Sequence, residues 1–383
     1  MNSRVLLPWL LCLLLTACRP EADRGPIHVE PGMDIVQVVA EAPAGAELLL
    51  APGEYVLLTT LEITRDITLR GESPNTVKIV KPAEQSFFGE SPTRTGRAFV
   101  YIRGASFTAS GVSFEYHHGD YIHMIRAEDA IVDLSDCRVY GASIGYKYTL
   151  EYGGYGVWLR GASTGTVRNC TLSWNIYAGL HVDDTSEATV EGCHIEGGQG
   201  AGIEFSGESR GTVRNNTVSR YGSSVLRGWG RGIWAWGGGP FLIEGNHVSD
   251  TRGWGIGVRN GTVRNNTVEA TGAGLWADDP ALIEANVLRN ATTGLMNSPL
   301  GMSISHAAAG KALIRGNVVE LNGWHGIWLQ DTSAPELRDN TVRANGGCGI
   351  RLSQQASPTP LPLEANNPLT DNTGGAVCDE RTP

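Results

Sequence analysis

Three side chains capable of acid/base chemistry lie close together in the middle of the sequence. His181 and Asp183 belong to the string GLHVD, and Glu204 belongs to GIEF, 23 positions after His181. An imidazole beside a carboxylate can move a proton, and two carboxylates at a suitable separation can hydrolyse a glycosidic bond. Whether these groups meet depends on the elements that hold them, so the periodicity of the chain decides the question.

A short unit recurs along most of the sequence. A glycine before an apolar-x-apolar triplet is found at positions 156, 179, 202, 232, 255, 274, 294, 326 and 349, and an Asn-x-apolar or Cys-x-apolar marker falls inside each unit. The octapeptide GTVRNNTV leads into this marker twice, at 211–218 and 261–268. Each unit has three short stretches of alternating apolar residues, which predicts three strands. Such units bury a core only when they stack, so we expect a solenoid.

The repeat resembles the right-handed parallel β-helix of pectate-lyase-like and NosD-like proteins. Residues 33–57 resemble the amphipathic helix and first coil that cap this fold, and the string ITLRGE at 67–72 resembles its next strand. The resemblance implies an all-β, single-stranded right-handed parallel β-helix with a short N-terminal capping helix. It implies no single activity, because such folds carry lyases, hydrolases, epimerases, adhesins and non-catalytic proteins.

The marker residues are expected to stabilise the turns. An inward Asn at a tight bend can bind turn backbone and the Asn of the next coil. Cys137, Cys170 and Cys193 occupy the same place at the N-terminal end, as small apolar fillers. Cys348 and Cys378 are candidates for a disulfide at the C-terminal end.

The alternation also predicts which residues face outward. Positions two residues after each glycine form one outward column, and positions four residues after form its neighbour. Several tryptophans fall on this face, and indoles stack on sugar rings, so we expect a glycan-binding groove; the alternative is that the indoles pack on one another under loops. The first column is Trp158, His181, Glu204, Trp234, Gly257, Trp276, Met296, Trp328 and Arg351, and the second is Arg160, Asp183, Ser206, Trp236, Arg259, Asp278, Ser298, Gln330 and Ser353.

These columns make His181 and Glu204 direct neighbours, about 4.8 Å apart as adjacent strands are, with Asp183 on the diagonal. Glu204 with Asp183 favours an inverting hydrolase, and His181 with Glu204 favours proton abstraction by a lyase or epimerase, while an ion-pair ladder is the third interpretation. The candidate catalytic residues are Glu204, His181 and Asp183. The candidate substrate-binding residues are Trp158, Trp234, Trp236, Trp276 and the arginines Arg231 and Arg259, which could neutralise a uronate carboxylate.

Three long connections are expected to wall the groove. Segments 140–155 and 219–231 carry Tyr, Trp and Arg, enter the face from one side and flank the coils of the candidate catalytic residues. A third excess, near residues 296–311, is expected on the opposite side. Long loops on a rigid scaffold commonly carry function.

Composition restricts the partners. The net charge is −10, only four lysines occur and no basic block exists, so nucleic acid is not an expected partner. No cofactor is predicted, although the pairs Asp183-Asp184 and Asp278-Asp279 are weak candidates for calcium, since paired aspartates at strand ends are usually turn residues. The oligomeric state stays open.

The first residues have the features of an export and anchoring signal. Arg4 precedes the apolar stretch 5–15, which is too short to span a membrane, and LTAC at 15–18 resembles a bacterial lipobox. The resemblance implies a signal peptide over 1–17, acylation of Cys18, a tether over 18–32 and the solenoid over 33–383, and Arg19 favours the outer membrane. The sequence thus predicts an envelope lipoprotein that binds polysaccharide, and it leaves open whether the protein also processes it as a lyase, hydrolase or epimerase; the alternative is a non-catalytic scaffold or periplasmic accessory protein.

Overall fold

The computed structural model describes residues 25–81, 98–117, 121–144, 154–222, 230–292 and 299–381. These residues form a solenoid of three parallel sheets, and each coil contributes one strand to each sheet. The strands are numbered β1 to β40 along the chain. We call the sheets first-strand, second-strand and third-strand, after the order of strands within a coil. The predicted parallel β-helix is confirmed.

The first-strand sheet carries the candidate site. It has thirteen parallel strands, and β13 (Ser143–Ile144) adds to β10 in the antiparallel sense. The parallel strands are β4 (Leu61–Ile63), β7 (Ala98–Arg103), β10 (Tyr121–Glu128), β14 (Tyr155–Arg160), β17 (Ala178–Val182), β20 (Ala201–Phe205), β23 (Arg231–Ala235), β26 (Trp254–Val258), β29 (Ala273–Asp278), β32 (Met302–Ser305), β35 (Ile327–Leu329), β38 (Ile350–Leu352) and β40 (Val377–Asp379).

The other two sheets close the solenoid around an apolar interior. The second-strand sheet contains β1 (Ile27–Val29), β2 (Ala46–Leu50), β5 (Ile67–Arg70), β8 (Ser106–Ser110), β11 (Ile131–Ser135), β15 (Thr164–Arg168), β18 (Glu187–Glu191), β21 (Arg210–Arg214), β24 (Phe241–Glu244), β27 (Gly261–Arg264), β30 (Leu282–Glu284), β33 (Leu313–Arg315) and β36 (Glu336–Arg338). The third-strand sheet contains β3 (Gly53–Val56), β6 (Val77–Lys81), β9 (Ser113–Tyr116), β12 (Arg138–Tyr140), β16 (Thr171–Ser173), β19 (His194–Gly198), β22 (Thr217–Tyr221), β25 (His247–Thr251), β28 (Thr267–Glu269), β31 (Val287–Arg289), β34 (Val318–Glu320), β37 (Thr341–Arg343) and β39 (Leu369–Thr370).

A short helix covers the N-terminal end, as predicted. Helix α1 (Ile35–Glu41) begins after Asp34, whose carboxylate accepts hydrogen bonds from two backbone N–H groups of the first turn, and it buries Ile35 and Val39. Strand β1 pairs with β2, so strand pairing begins at Ile27, inside the segment predicted as a tether. A single 3₁₀ turn within the described residues, Leu363–Ala365, lies near the other end.

The repeated octapeptide forms a turn between two strands of its coil. In each copy the first Asn, Asn215 or Asn265, has φ of 56°, a left-handed conformation that asparagine tolerates better than most residues. The second Asn belongs to an interior ladder: Asn246 donates from its backbone N and its Nδ2 to Oδ1 of Asn266, both at 2.9 Å. The predicted ladder is therefore confirmed.

Thiols continue this ladder toward the N-terminal end. The backbone N–H of Cys137 points to Sγ of Cys170, and that of Cys170 to Sγ of Cys193, each at 3.4 Å. All three thiols are free and buried. At the other end Cys348 and Cys378 form the expected disulfide, with 5.9 Å between their Cα atoms.

The glycine that opens each coil makes room for the interior. A Cβ placed on Gly202 would lie 2.3 Å from a methyl of Val218, and one on Gly232 would lie equally close to Val248, the inward valine of the same coil's third strand. Larger residues are therefore excluded by close packing. One predicted coil is misplaced: the strand after β29 begins beyond Gly301, in GMSI, and not at Gly294 in GLMN.

Candidate functional site

The outer face of the first-strand sheet carries the two predicted columns. The register pairs Trp158 with His181, His181 with Glu204, and Glu204 with Trp234. Because the coil after β29 was misplaced, two members are corrected: Ser303 lies beside Trp276, and Ser305 beside Asp278, where Met296 and Ser298 were expected. Residue 296 and residue 298 lie outside the described residues.

His181 and Glu204 form a buried pair at the centre of this face. Nδ1 of His181 lies 3.1 Å from Oε2 of Glu204, and the side chains are only 8% and 12% exposed. Ser206 lies 3.4 Å from Nε2 of His181, and its hydroxyl donates to Asp183 at 2.9 Å. Asp183 is 4.0 Å from the same Nε2. All three candidate catalytic residues therefore meet around one imidazole.

A stack of rings fixes the plane of that imidazole. The Tyr155 ring lies parallel to His181, with centroids 4.5 Å apart, and parallel to His123 at 5.1 Å. Burial and the nearby cations lower the pKa of His123 to about 3, so it is neutral near pH 7. With Glu204 at Nδ1 and Tyr155 on one face, His181 has little rotational freedom.

Arg231 is held beside this pair without satisfying its own donors. Its guanidinium carbon lies 3.8 Å from the ring centroid of Trp234, and Nη1 is 3.9 Å from Oε1 of Glu204. Its Nε is buried without a hydrogen-bond partner, and the side chain makes no hydrogen bond within the described part of the chain. Burial lowers the pKa of Arg231, although Glu204 and Tyr177 oppose the shift.

Tyr177 is the other titratable group at this point. Burial first, and then the charge of Glu204, raise the pKa of Tyr177 to about 12, so its phenol stays protonated at neutral pH. Its ring meets Tyr155 edge-on, with centroids 5.2 Å apart. The site therefore combines an oriented imidazole, a carboxylate, a protonated phenol and a guanidinium with free donors.

The candidate tryptophans differ in how much of their ring surface is accessible to a ligand. Two guanidinium groups, those of Arg126 and Arg160, lie 4.9 and 5.0 Å from the ring centroid of Trp158, which is half-buried. Cations thus already contact the aromatic ring that sequence analysis assigned to sugar stacking.

The remaining indoles pack into one cluster. Trp234 and Trp236 stack at 4.9 Å, Trp236 and Trp276 lie 4.6 Å apart, and Trp254 is 5.9 Å from Trp276. Gly257 leaves space for this, since a Cβ there would lie 2.2 Å from the Trp234 ring. Trp234 and Trp254 are only 7% and 8% exposed, whereas Trp236 and Trp276 are half-buried. Both interpretations of the tryptophans thus hold in part: they pack together, and two keep accessible surface.

Arg259, the last candidate, lies apart from the imidazole. It is exposed at the end of β26 and has no ion pair or side-chain hydrogen bond within the described ranges. The calcium candidates are used locally: Asp184 accepts a hydrogen bond from the backbone N of Gly161 at 2.9 Å, and Asp278 binds His306 at 2.7 Å. The described residues contain no group of three or more His, Cys, Asp or Glu suited to a metal ion.

The long connections all join a third strand to the next first strand. With the coil corrected to β32, the third connection falls between β31 and β32, on the same side as the other two and not opposite them. Residues 145–153, 223–229 and 293–298, which include most of these loops, lie outside the described residues, as do Arg4, Cys18 and Arg19. No helix in the described ranges is long and apolar enough to cross a membrane.

Sequence reasoning missed Tyr155, Tyr177 and His123. Tyr155 and Arg231 directly precede the opening glycines, and because the glycine packs inward, the preceding residue turns onto the outer face beside the two predicted columns. A third column one residue before each glycine was the available signal. His123 lies in β10, before the repeat pattern becomes regular, and nothing in the local sequence indicates its role.

The sequence also matches a known family. The family model described as "Right handed beta helix region" matches residues 98–225 and 155–298, together more than half of the chain. The chain belongs to the right-handed β-helix family. A second family model, described as "Periplasmic copper-binding protein (NosD)", matches this β-helix protein over residues 259–381 only. The described residues of that region contain no group of three or more His, Cys, Asp or Glu suited to a metal ion.

Solved structures of similar shape support the fold assignment. The A-module of the mannuronan C-5 epimerase AlgE6 of Azotobacter vinelandii is 16% identical, with a TM-score of 0.54 over 90% of this chain and 93% of that one. The catalytic domain of a GH87 α-1,3-glucanase in complex with tetrasaccharides is 13% identical, with a TM-score of 0.55 over 95% of this chain and 68% of that one. At such identities the likeness shows the fold alone. A comparison with curated proteins finds no match.

Proposed function

We propose that this β-helix protein binds an acidic polysaccharide on its first-strand face and moves the proton next to a uronate carboxylate, as a lyase or an epimerase does. The observation that carries the proposal is Arg231. The Arg231 side chain is 26% exposed, and its Nε is buried without a hydrogen-bond partner, so a ligand carboxylate would supply an acceptor that the planar fork matches. The proteins of similar fold named above act on mannuronan and on α-1,3-glucan, which supports a polysaccharide ligand in general.

The roles follow from the contacts. In the tautomer in which Nδ1–H of His181 donates to Glu204, the lone pair on Nε2 is available as the base. The Ser206 hydroxyl donates to Asp183, so its proton does not block Nε2. Arg231 would neutralise the substrate carboxylate and so make the adjacent C–H more acidic. The protonated Tyr177 would deliver a proton, either to the opposite face of the carbon or to the departing glycosidic oxygen.

The hydrolase alternative is less well supported by the geometry. Inverting hydrolysis needs two carboxylates that act independently on opposite sides of the bond. Here Glu204 and Asp183 lie on the two nitrogens of the same imidazole, 3.1 and 4.0 Å away. They therefore behave as one coupled group around His181, which favours proton transfer through the imidazole.

The test is turnover of a polysaccharide panel in deuterium oxide. We expect deuterium at the carbon beside the carboxylate of an acidic polymer, with an ultraviolet-absorbing unsaturated end if the reaction is an elimination. His181→Ala should reduce the rate by roughly 10²–10⁴-fold. The matched control is His247→Ala, because His247 pairs with Glu269 at 2.9 Å on the third-strand sheet, away from the site.

Two results would reject this proposal: no deuterium uptake or product from any acidic polymer, or an unchanged rate in His181→Ala. Hydrolysis of a neutral glucan that depends on Glu204 and Asp183 would favour the hydrolase. Binding without any turnover would favour a non-catalytic scaffold, which the burial of Trp234 and Trp254 within the indole cluster also suits.

We also propose an envelope location with a lipid anchor at Cys18. The lipobox-like string supports it, and the partial match to a family described as periplasmic is compatible with it. Mass spectrometry of the mature N-terminus tests the anchor: an acylated Cys18 as the first residue is expected, and an unmodified thiol would reject it.

A further inference from the structure

Cations on the three outer faces differ in whether a carboxylate lies beside them. On the second-strand and third-strand sheets the arginines have acidic partners, as Arg264 has Glu244 at 2.8 Å and Arg343 has Glu320 at 2.7 Å. Among the described arginines and lysines, those with neither an ion pair nor a side-chain hydrogen bond are Arg103, Arg252, Arg259 and Lys311. The three arginines lie on a strand of the first-strand sheet or directly beside one, whereas Lys311 lies just before β33 of the second-strand sheet.

Two of these cations lie at the two ends of one strand. Arg252 lies in the turn that enters β26, and Arg259 directly follows the end of that strand. Both side chains are exposed. Strand β26 is two coils beyond β20, which carries Glu204, so about 10 Å of the solenoid axis separates this strand from the imidazole–carboxylate pair.

The neighbouring acid does not neutralise Arg259. Asp278 is the carboxylate at the matching position of the next coil, yet it accepts from His306 at 2.7 Å and makes no ion pair with Arg259 within the described ranges. The hydrogen bond from His306 to Asp278 also raises the pKa of His306 above its ordinary value. In a chain of net charge −10, Arg259 therefore differs from the arginines of the other two sheets, which have acidic partners.

We propose that Arg252 and Arg259, at opposite ends of β26, form a second carboxylate-binding region with two contacts for uronate units beyond the reacting one. Trp236, whose indole is half-buried, is at the position that matches Arg259 in the preceding coil, because Ala235 and Val258 are register partners. The inference rests on the proposed function and deepens it. The ligand is a run of consecutive uronates, since isolated uronates in a neutral chain would leave these cations unused.

The test is the affinity for polyuronate oligomers of graded length, measured by calorimetry at low and high salt in a His181→Ala background that prevents turnover. We expect Arg252→Gln with Arg259→Gln to weaken binding of long oligomers by about tenfold per arginine, and to reduce the salt dependence. The shortest oligomers should bind with the same affinity to the His181→Ala protein and to the variant that also carries Arg252→Gln and Arg259→Gln. Arg264→Gln with Arg343→Gln is the matched control, and it should leave every affinity unchanged.

The outcomes separate the two proposals. The second carboxylate-binding region is rejected, while the proposed function stands, in either of two cases. In the first, the two arginine substitutions do not change the affinity for long oligomers; in the second, they weaken the binding of short and long oligomers by the same factor. If the parent protein binds no acidic oligomer of any length, both proposals fail. Melting temperatures of the variants confirm folding, which we expect to be retained because neither side chain has a partner to lose.

Discussion

The first-strand and second-strand faces cover the same interior, yet they are built differently. The second-strand face repeats ion pairs from coil to coil, such as Arg214 with Glu191 at 2.9 Å and Arg264 with Glu244 at 2.8 Å. On the first-strand face His181 and Glu204 are almost fully buried, and Arg231 keeps unpaired donors. An unpartnered Nε occurs on both faces, at Arg214 and at Arg231, but Arg214 also donates from Nη2 to Glu191, whereas the Arg231 side chain makes no hydrogen bond within the described residues.

This difference separates architecture from function within a single repeat. Exposed ion pairs contribute little to stability, so the charged ladder chiefly keeps the second-strand face soluble and correctly paired. A buried imidazole and carboxylate beside a partly buried guanidinium cost desolvation energy, and such groups are typical of functional sites.

Both faces should fail together when the shared interior is damaged. Asn266→Ala removes the acceptor of two hydrogen bonds from Asn246 and leaves those donors buried. We expect a loss of about 4 kcal/mol in the free energy of unfolding, measured by urea titration. Asn265→Gly, one position earlier, is the control: it keeps the left-handed turn and should change stability by less than 1 kcal/mol. Equal effects would contradict the ladder's role.

The repeated part of the fold is what could be predicted from the sequence. The repeat, the inward Asn, the outward columns and the meeting of His181 with Glu204 follow from periodicity, because each coil reuses one geometry. The error at Gly294 has a physical reason. In GLMN the inward position three after the glycine is Asn, whereas in GMSI it is Ile304, which is fully buried. Requiring an apolar residue at that position would have found β32.

Other features depend on contacts that no period encodes. The placement of Tyr155 between two imidazoles depends on how the chain enters β14, and the unpaired state of Arg259 depends on Asp278 choosing His306. The residue types allow several partners for each of these side chains, and only the three-dimensional arrangement determines which contact forms.

The buried imidazole of the first-strand face should appear in the pH dependence of stability. His123 has a pKa of about 3 in the folded protein, against about 6.5 when unfolded. Between these values the unfolded chain binds a proton that the folded chain does not, so stability present above pH 6.5 falls by about 1.4 kcal/mol per pH unit on acidification. We expect His123→Phe to remove this part of the slope between pH 6.5 and 4.5, measured by denaturant titration. An unchanged slope would contradict the burial of a neutral imidazole.

The second-strand face should tolerate loss of its charges. Arg264→Gln breaks a half-exposed pair with Glu244 and should lower the free energy of unfolding by less than 1 kcal/mol. High salt should shrink the difference further, because it screens the pair in the parent protein. A loss of several kcal/mol in a thermal melt would show that the ladder is a major source of stability and would weaken the contrast between the faces.

Turnover of an acidic polysaccharide by Glu204→Gln and by Glu191→Gln distinguishes the functions of the two faces. Both glutamates are partly buried and paired, Glu204 with His181 on the first-strand face and Glu191 with Arg214 on the second-strand face. We predict that Glu204→Gln lowers the rate by roughly 10²–10⁴-fold, since it no longer orients and stabilises the imidazole, and that Glu191→Gln leaves it unchanged. Equal rates in the two variants, with folding intact, would contradict the account.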